Sequence, residues 1–596
     1  MRNHRIVALA ALALVLLPAA TLAAARSPLQ ERADRFLALV ASSYQALHLV
    51  SAEANWAAST DVGPEHDAAA AAAAKALAAF SGNAQLIAEV KALLAHEGEL
   101  DELAQRQLKR LLLIAAEGPM TNPVLTADRI DAETAQASTL NSFVFRLDGE
   151  EISANAIDDA LIALTDLDAR LAVWEASKAS GPALRPGLIK LQGLRNGVAR
   201  EMGYPDFFAL QAAGHDMTTA AMIALQDDFL AVLRPLYLQL HTWARYELAA
   251  RHGVPVPERI PAHWLPNRWA QDWSALVPQP ALDLALAGKS AEWVVRTAES
   301  FYTGMGREPL PASFWETSDL YPVPPGETRR KNTHASCGCL DLDRDIRALM
   351  SVEPDAGWFG TAFHELGHGH YDLAYARPEV PVLLRTGASP AMHEAFACLG
   401  ELASGQRPYL ESLGLLPPGE AEDPMRALLR DALLDIPFMF WASGTMAHFE
   451  ADLYAEELPA DQWNACWWQY VGDFQGVAPP APRGEEYCDA ATKTHISDAP
   501  AYYVSYAIAT VIQYQLHEHI ARRILGQDPH ACNYAGNKYV GAFLHAMQRQ
   551  GAMRDWRAIL REATGEELST RAMLEYYQPL LGWLEAQNKG RRIGWE

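Results

Sequence analysis

The sequence predicts a mostly helical protein with a few short strands. Long stretches rich in alanine and leucine carry polar residues at helical spacing, whereas the alternation typical of strands is rare. The chain has 596 residues, of which 50% are hydrophobic, so it is long enough to bury a large core. No clear flexible linker interrupts the chain, and we therefore expect a single helical domain over residues 26–596.

The first residues indicate a secretory signal peptide. Residues 1–5 are basic, an apolar run covers 6–22, and three alanines follow at 23–25. A charged start, an apolar core and a small-residue cleavage site are typical of an export signal. An N-terminal membrane anchor is the alternative, although the run is short for a span. We expect residues 1–25 to be removed and the mature protein to be secreted, in the periplasm.

Composition narrows the range of partners. The formal net charge is −24, and so acidic a surface disfavours nucleic acid as a partner. The most apolar later stretch, 425–449, contains Arg426, Arg430, Asp431 and Asp435, so no membrane span is expected in the mature chain. The six cysteines can form disulfides in an exported protein or remain buried thiols, and the sequence leaves both open.

The first block of predicted helices occupies residues 26–117. Within it, 29–50 and 66–95 carry polar residues at helical spacing. The tract 67–79 is nearly all alanine, a residue that favours helix and packs closely. We expect this block to form a helical cover over a groove.

The rest of the chain alternates helices with proline-rich loops. Pro235 is expected to kink or divide a long helix at 218–252. The tryptophans of 253–289 need burial, which favours a structured loop there, and a short strand is expected near 332–336. Further predicted helices cover 157–179, 185–202, 423–451, 461–474, 499–526 and, in shorter pieces, 531–588.

The strongest chemical signal is the pentapeptide that begins at His364 and ends at His368. Two histidines four apart on a helix lie on one face, so both imidazoles can reach one metal ion. Glu365 stands beside the first histidine, where it would act on a metal-bound water as a base. Gly367 costs helix stability, on the order of 1 kcal/mol against alanine, which suggests that another element packs close to it.

A third ligand is expected from the segment that follows. Ser389 is a good N-cap and Pro390 a good first helical residue, which places Glu394 in the second turn of a new helix. A carboxylate there can complete a two-histidine, one-glutamate zinc site. His393 is the competing candidate, because adjacent helical residues point about 100° apart and only one can face the metal.

Several segments together resemble the angiotensin-converting enzyme family of zinc dipeptidyl carboxypeptidases. The similarity covers residues from about 120 to the end and is weaker before that. The segments that carry it are the zinc-helix pentapeptide at 364–368, the third-ligand segment at 385–395, a glutamine-bearing loop at 261–273, a short strand at 334–336 and a lysine–histidine segment at 493–496.

The resemblance implies a fold and a metal site. The fold is a mostly helical, two-lobed zinc peptidase with a deep central groove and the metal at its floor. The resemblance favours Glu394 over His393, so that one zinc ion is bound by His364, His368 and Glu394. Glu365 would take a proton from the attacking water and pass it to the leaving amine.

The resemblance also assigns substrate contacts. His495 and Tyr502 would hydrogen-bond the oxyanion or an adjacent carbonyl as charge develops. His334 and the backbone of Ala335 would hold the peptide in an extended form.

Two further residues would recognise the end of the peptide. By the resemblance, Gln271 and Lys493 would bind the free C-terminal carboxylate and so set the cut at the second-last peptide bond. Without that role, Gln271 would only satisfy backbone groups in a tryptophan-rich loop, and Lys493 would be a solvated surface lysine.

Some family features are missing. A second carboxylate-binding tyrosine and a chloride-binding arginine are not expected, because Ala501 occupies that region. Strict dipeptide release and chloride activation are weakened accordingly. Cys398 stands where the family carries an acidic residue one turn after the third ligand, and Glu401 could face the same way.

The sequence therefore predicts a zinc metallopeptidase that releases dipeptides from the C-terminus of oligopeptides. A zinc oligopeptidase or carboxypeptidase with another cut position is the alternative within the same chemistry. A non-catalytic peptide-binding protein on this scaffold is a further alternative, which the intact Glu365 disfavours.

Overall fold

The structure is a computed structural model that describes residues 26–419 and 423–595. The predicted signal peptide, residues 1–25, lies outside the described residues. Helices dominate, and the few strands are short, which confirms the predicted fold class. Within the described ranges, no helix combines the length and the hydropathy that crossing a bilayer requires.

The amino-terminal block is helical, as predicted. Its helices are α1 (Pro28–Thr60), α2 (Pro64–Ser81), α3 (Ala84–Leu94), α4 (Glu102–Ala116) and α5 (Pro123–Asn141). The stretch expected as one helix at 66–95 is instead divided between α2 and α3. A Cβ at Gly82 would lie 1.9 Å from the carbonyl oxygen of Gly118, and the Asn83 side chain accepts hydrogen bonds from the first amides of α3.

The middle of the chain supplies the framework behind the site. Its helices are α6 (Ala154–Ala163), α7 (Leu167–Lys178), α8 (Gly181–Met202), α9 (Phe207–Ala213), α10 (Thr219–His252), α11 (Pro280–Ala287), α12 (Ala291–Gly304) and α13 (Ala312–Thr317). Pro235 lies inside α10 without dividing it. The single helix expected at 157–179 is divided into α6 and α7, because Asp166 caps a new helix there through Ala169 N.

The remaining helices carry or surround the candidate site. They are α14 (Ala356–Tyr375), α15 (Pro390–Ser404), α16 (Arg407–Ser412), α17 (Pro424–Met439), α18 (Ala447–Tyr454), α19 (Trp463–Tyr470), α20 (Thr494–Asp498), α21 (Tyr503–His519), α22 (Lys538–Gln548), α23 (Trp556–Thr564) and α24 (Arg571–Gln587). A π-helical turn, Phe440–Met446, joins α17 to α18, so the predicted helix at 423–451 is one continuous element.

The strands form two-stranded pairs. β1 (Phe145–Leu147) and β2 (Glu150–Ile152) are antiparallel, as are β4 (Ser336–Cys339) and β5 (Ile346–Leu349). β3 (Ile260–Pro261) and β6 (Val477–Ala478) are parallel. The strand expected near 332–336 therefore begins only at Ser336.

A single contiguous hydrophobic cluster runs from the amino-terminal third to the C-terminal end of the described chain, and α14, α15 and α21 lie within it. A smaller cluster lies among α1, α3 and α4 and ends against Leu383 of the main body. The close packing expected at Gly367 is confirmed, since a Cβ there would lie 3.0 Å from Ala397 Cα on α15.

Candidate active site

The metal-ligand candidates converge on one point between α14 and α15. His364 and His368 occupy successive turns of α14, and their Nε2 atoms lie 3.2 Å apart. Ser389 caps α15 through Met392 N, with Pro390 as first helical residue, as the sequence predicted. Glu394 Oε2 then lies 3.4 Å from His364 Nε2 and 3.5 Å from His368 Nε2.

This triangle of donor atoms fits a zinc ion. Tetrahedral zinc with bonds of about 2.0–2.1 Å places neighbouring donors about 3.4 Å apart, close to the three observed separations. Two imidazoles and one carboxylate are a donor set typical of catalytic zinc. Glu394 Oε2 is buried and makes no hydrogen bond in the described structure, as expected of an atom whose partner is a metal ion.

Glu365 follows the first histidine and is 5% exposed. Its Oε2 is buried and has no hydrogen-bond partner among the described residues. Burial raises the pKa of Glu365, against the opposing effect of the nearby imidazoles. A carboxylate with a free oxygen and a raised pKa can both accept and return a proton.

The competing ligand candidate, His393, lies behind His368 and outside the triangle. Its Nδ1 is 2.6 Å from His368 Nδ1, and its Nε2 is 3.1 Å from Asp372 Oδ1. The Tyr375 hydroxyl donates to the same Asp372 carboxylate. His393 therefore links His368 to a buried carboxylate, and the arrangement fixes the orientation of the His368 ring.

Gln271 and Lys493 meet at a second cluster of polar groups. Lys493 Nζ donates to Gln271 Oε1 at 3.1 Å and lies 4.1 Å from the centre of the Trp269 ring. The Tyr503 hydroxyl also points at Gln271 Oε1, at 3.4 Å. Burial, with a smaller effect of Arg268, lowers the pKa of Lys493 to about 7, so this lysine is not a solvated surface residue.

His334 and His495 lie between these two groups of residues. Their ring centres are 4.6 Å apart, and His495 Nε2 is 3.4 Å from the Tyr506 hydroxyl. Burial lowers the pKa of His495 well below its usual range, and His334 adds to the effect. Burial also lowers the pKa of His334, but Asp498, 3.6 Å away, outweighs it and leaves that pKa raised. Ala335 is half-buried immediately before β4.

Tyr502, predicted to stabilise the oxyanion, lies beside the metal-ligand candidates. Its hydroxyl donates to Glu394 Oε1 at 2.8 Å, so it contacts a metal-ligand candidate and not His495. Tyr506 is the tyrosine beside His495, and Tyr503 is the one beside Gln271. The expectation that a second tyrosine is missing from the Gln271 cluster is therefore wrong.

The segment immediately before α21 is irregular, and it determines the directions in which the tyrosines at 502, 503 and 506 point. Ala501 has φ 57°, a left-handed conformation that changes the direction of the chain just before the helix. Within the regular helix, Tyr503 and Tyr506 are three residues apart and share a face. That spacing was the available signal.

The fold and this site together are typical of zinc metallopeptidases. A family model described as angiotensin-converting enzyme, Peptidase_M2, matches residues 27–595. The chain belongs to this family, which confirms the resemblance inferred from its motifs.

Individual relatives agree with the family match. Angiotensin-converting enzyme from Mesocricetus auratus is 30% identical over 446 residues, which are 71% of this chain and 33% of the relative. The angiotensin-converting enzyme-like protein Ace3 of Mus musculus is 31% identical, over 71% of this chain and 59% of its own length. Angiotensin-converting enzyme from Theromyzon tessulatum is 29% identical, over 74% of this chain and 73% of its own length. The matched part thus spans a third and about three-fifths of the first two relatives.

Proposed function

We propose that this protein is a zinc peptidyl-dipeptidase that removes dipeptides from the C-terminus of oligopeptides. The observation that carries the proposal is the pairing of two separate polar groups. One is the metal triangle with Glu365 beside it, and the other is the buried cluster of Gln271, Lys493 and Tyr503. The first group is suited to cleaving a peptide bond, and the second to binding a free carboxylate.

His364, His368 and Glu394 would hold the metal. Zinc bound there supplies Lewis acidity toward the substrate carbonyl and lowers the pKa of water. Glu365 accepts a proton at its free Oε2 from the attacking water and delivers it to the nitrogen of the leaving amine. Its burial favours the return of the proton, because the neutral carboxyl is the form that a buried site prefers.

Negative charge that develops on the substrate oxygen is stabilised by hydrogen-bond donors close to it. His495 is neutral because burial lowers its pKa, so it has one N–H to donate, and the Tyr506 hydroxyl lies beside it. We assign oxyanion stabilisation to His495 and Tyr506. Tyr502 receives a different role, because its hydroxyl proton is already used on Glu394.

The cut position follows from recognition of the peptide terminus. A carboxylate at the Gln271 cluster would restore a full positive charge on Lys493 and accept hydrogen bonds from Lys493 and Tyr503. His334 and Ala335 would hold the intervening residues extended, in line with β4. The alternative within the same chemistry is an oligopeptidase or carboxypeptidase with another cut position.

Two further proposals rest on the sequence. The chain is exported to the periplasm after removal of residues 1–25, and the remainder acts as a single peptidase domain with residues 26–117 as a cover. Chloride has no assigned role.

Products from an unblocked decapeptide test the proposed function. Zinc-loaded enzyme should remove successive dipeptides from the C-terminus, as read by mass spectrometry, and chelation should abolish the reaction. Internal cuts would retain the metal chemistry and contradict the role of the Gln271 cluster. Tight peptide binding without cleavage by zinc-loaded protein would favour the non-catalytic binding protein.

A further inference from the structure

The second ring nitrogen of His364 lies close to a carboxylate with no assigned role. His364 turns its Nε2 toward the metal triangle, which leaves Nδ1 on the other side of the ring. Metal-binding imidazoles almost always donate this second N–H to a carboxylate, a carbonyl or water. Two side chains lie near His364 Nδ1, namely Glu401 Oε2 at 3.4 Å and Cys398 Sγ at 3.9 Å.

Cys398 is the weaker of these two acceptors. A cysteine sulfur is a weak hydrogen-bond acceptor, whereas a carboxylate oxygen is a strong one. The Cys398 sulfur is also farther from the imidazole than the Glu401 oxygen. Glu401 is therefore the better hydrogen-bond partner for His364 Nδ1.

The packing of α14 against α15 leaves room for the Glu401 side chain beside His364. Glu401 lies seven residues after Glu394 on α15, about two full turns, so the two carboxylates share a face of the helix. Gly360 lies four residues before His364 on α14, on the face that Glu401 crosses. A Cβ at Gly360 would lie 3.3 Å from both Oε1 and Cγ of Glu401. The glycine thus leaves the space that the glutamate side chain occupies.

We propose that Glu401 is the positioning residue that orients His364 toward the metal, a role that Cys398 does not fill. The inference rests on the zinc site of the proposed function and concerns how tightly that site holds its ion. Glu401 accepts the Nδ1 proton of His364, which fixes the tautomer with Nε2 free for the metal. His364 and His368 are then both oriented, the first by a carboxylate and the second through His393 and Asp372.

The release of zinc to a chromogenic chelator, in zinc-loaded protein at constant pH, tests this role. Glu401→Gln should lose zinc about 10–100-fold faster than the wild type. Glu585→Gln, which removes one charge from the exposed end of α24, is the matched control and should not change the rate. Cys398→Ala should also leave the rate close to that of the wild type. Gly360→Ala should accelerate release, because its methyl group displaces the Glu401 carboxylate.

A rescue variant separates positioning from general damage. Cys398→Asp places a carboxylate near the same nitrogen, so the double variant Cys398→Asp with Glu401→Gln should regain slow zinc release. Unchanged zinc release in Glu401→Gln, or faster release in Cys398→Ala, would overturn the role of Glu401 and leave the proposed function intact. Failure of the wild type to retain zinc would overturn the proposed function and this role together.

Discussion

The metal-binding half of the site, on α14 and α15, is held by close packing of two regular helices, whereas the recognition half, residues 493–506, is held by buried polar side chains. In the first half, glycines permit the contact. A Cβ at Gly367 would lie 3.0 Å from Ala397 Cα, and a Cβ at Gly400 would lie 3.1 Å from the Phe363 carbonyl oxygen. Shape therefore determines the position of the metal ligands.

The recognition half consists of the short helix α20, an irregular bend and the start of α21. Arg195, 1% exposed, donates to the carbonyl oxygens of Ile496 and Ser497 at 3.2 and 2.6 Å. Glu450, also 1% exposed, accepts from the amide of Ala501 at 2.6 Å. Ala501 is the residue with φ 57°. These two side chains fix the bend that positions the tyrosines of α21.

This contrast teaches that the two halves can fail separately. Helix packing is distributed over many contacts, so the backbone positions of the metal ligands depend little on any one polar group, although single polar groups orient their rings. The recognition half depends on a few buried hydrogen bonds, each costly to lose. Substitutions of Lys493 or Tyr503, the residues of this half that contact Gln271, should therefore alter which peptides are cut while the protein retains zinc.

The largest effect is expected from a substitution that removes the catalytic base of the metal half without changing the packing of the helices. Glu365→Gln keeps the shape of the side chain and removes its ability to accept a proton. We expect kcat to fall by about 10²–10⁴-fold. Zinc content, measured by atomic absorption, should remain one per chain. Full turnover in this variant would remove Glu365 from the mechanism.

A pair of neighbouring tyrosines tests where the boundary between the two halves lies. Tyr506→Phe should lower kcat by about 10²-fold at unchanged zinc content, because it removes a donor to the developing oxyanion. Tyr502→Phe should instead accelerate zinc release about tenfold, because its hydroxyl donates to Glu394. Kinetic assays and chelator competition on both variants separate these results, and an exchange of the two phenotypes would refute the assignment.

A further substitution tests the packing of the metal half. Gly367→Ala gains about 1 kcal/mol of helix propensity but places a methyl group 2.8 Å from the Tyr302 hydroxyl and 3.0 Å from Ala397 Cα. Overpacking of this kind costs about 1–3 kcal/mol, so we expect a net loss of stability and of zinc affinity. Thermal unfolding with and without zinc measures both. Unchanged values would show that shape does not determine the ligand positions.

The smallest expected effect concerns the bend of the recognition half. Burial raises the pKa of Glu450 to about 8, so this side chain is protonated in the folded protein at neutral pH. Its stabilising contribution is complete below the unfolded pKa near 4.5 and is lost as pH rises through about 8. Glu450→Gln keeps the acceptor for Ala501 and cannot ionise.

Melting temperatures over pH 5–9 test this pH dependence. The wild type should lose a few degrees relative to Glu450→Gln as the pH rises from 5 to about 8, with no further loss above that value. Parallel curves for the two proteins would contradict a protonated Glu450.

The same contrast explains how much could be predicted from the sequence. The spacing of His364 and His368 and the cap at Ser389 are local patterns, and the structure brings those residues together with Glu394 as expected. The break at Gly82 and the contact of Tyr502 with Glu394 depend on residues distant in sequence or on a left-handed bend, which local spacing does not encode. The prediction that no second carboxylate-binding tyrosine is present failed because spacing across that bend does not show which tyrosine faces Gln271.

The separation of bond cleavage from recognition of the peptide terminus is the central claim, and Lys493→Met tests it most directly. The measurement is the ratio of kcat/KM for a free-acid peptide to that for its C-terminal amide, with zinc content determined on the same samples. A hydrogen bond to a charged group is worth about 1.5–3 kcal/mol, so the wild type should prefer the free acid about 10–100-fold. Lys493→Met should abolish that preference, retain zinc and cleave the amide at nearly the wild-type rate. An unchanged preference for the free acid, or loss of zinc, would contradict the account.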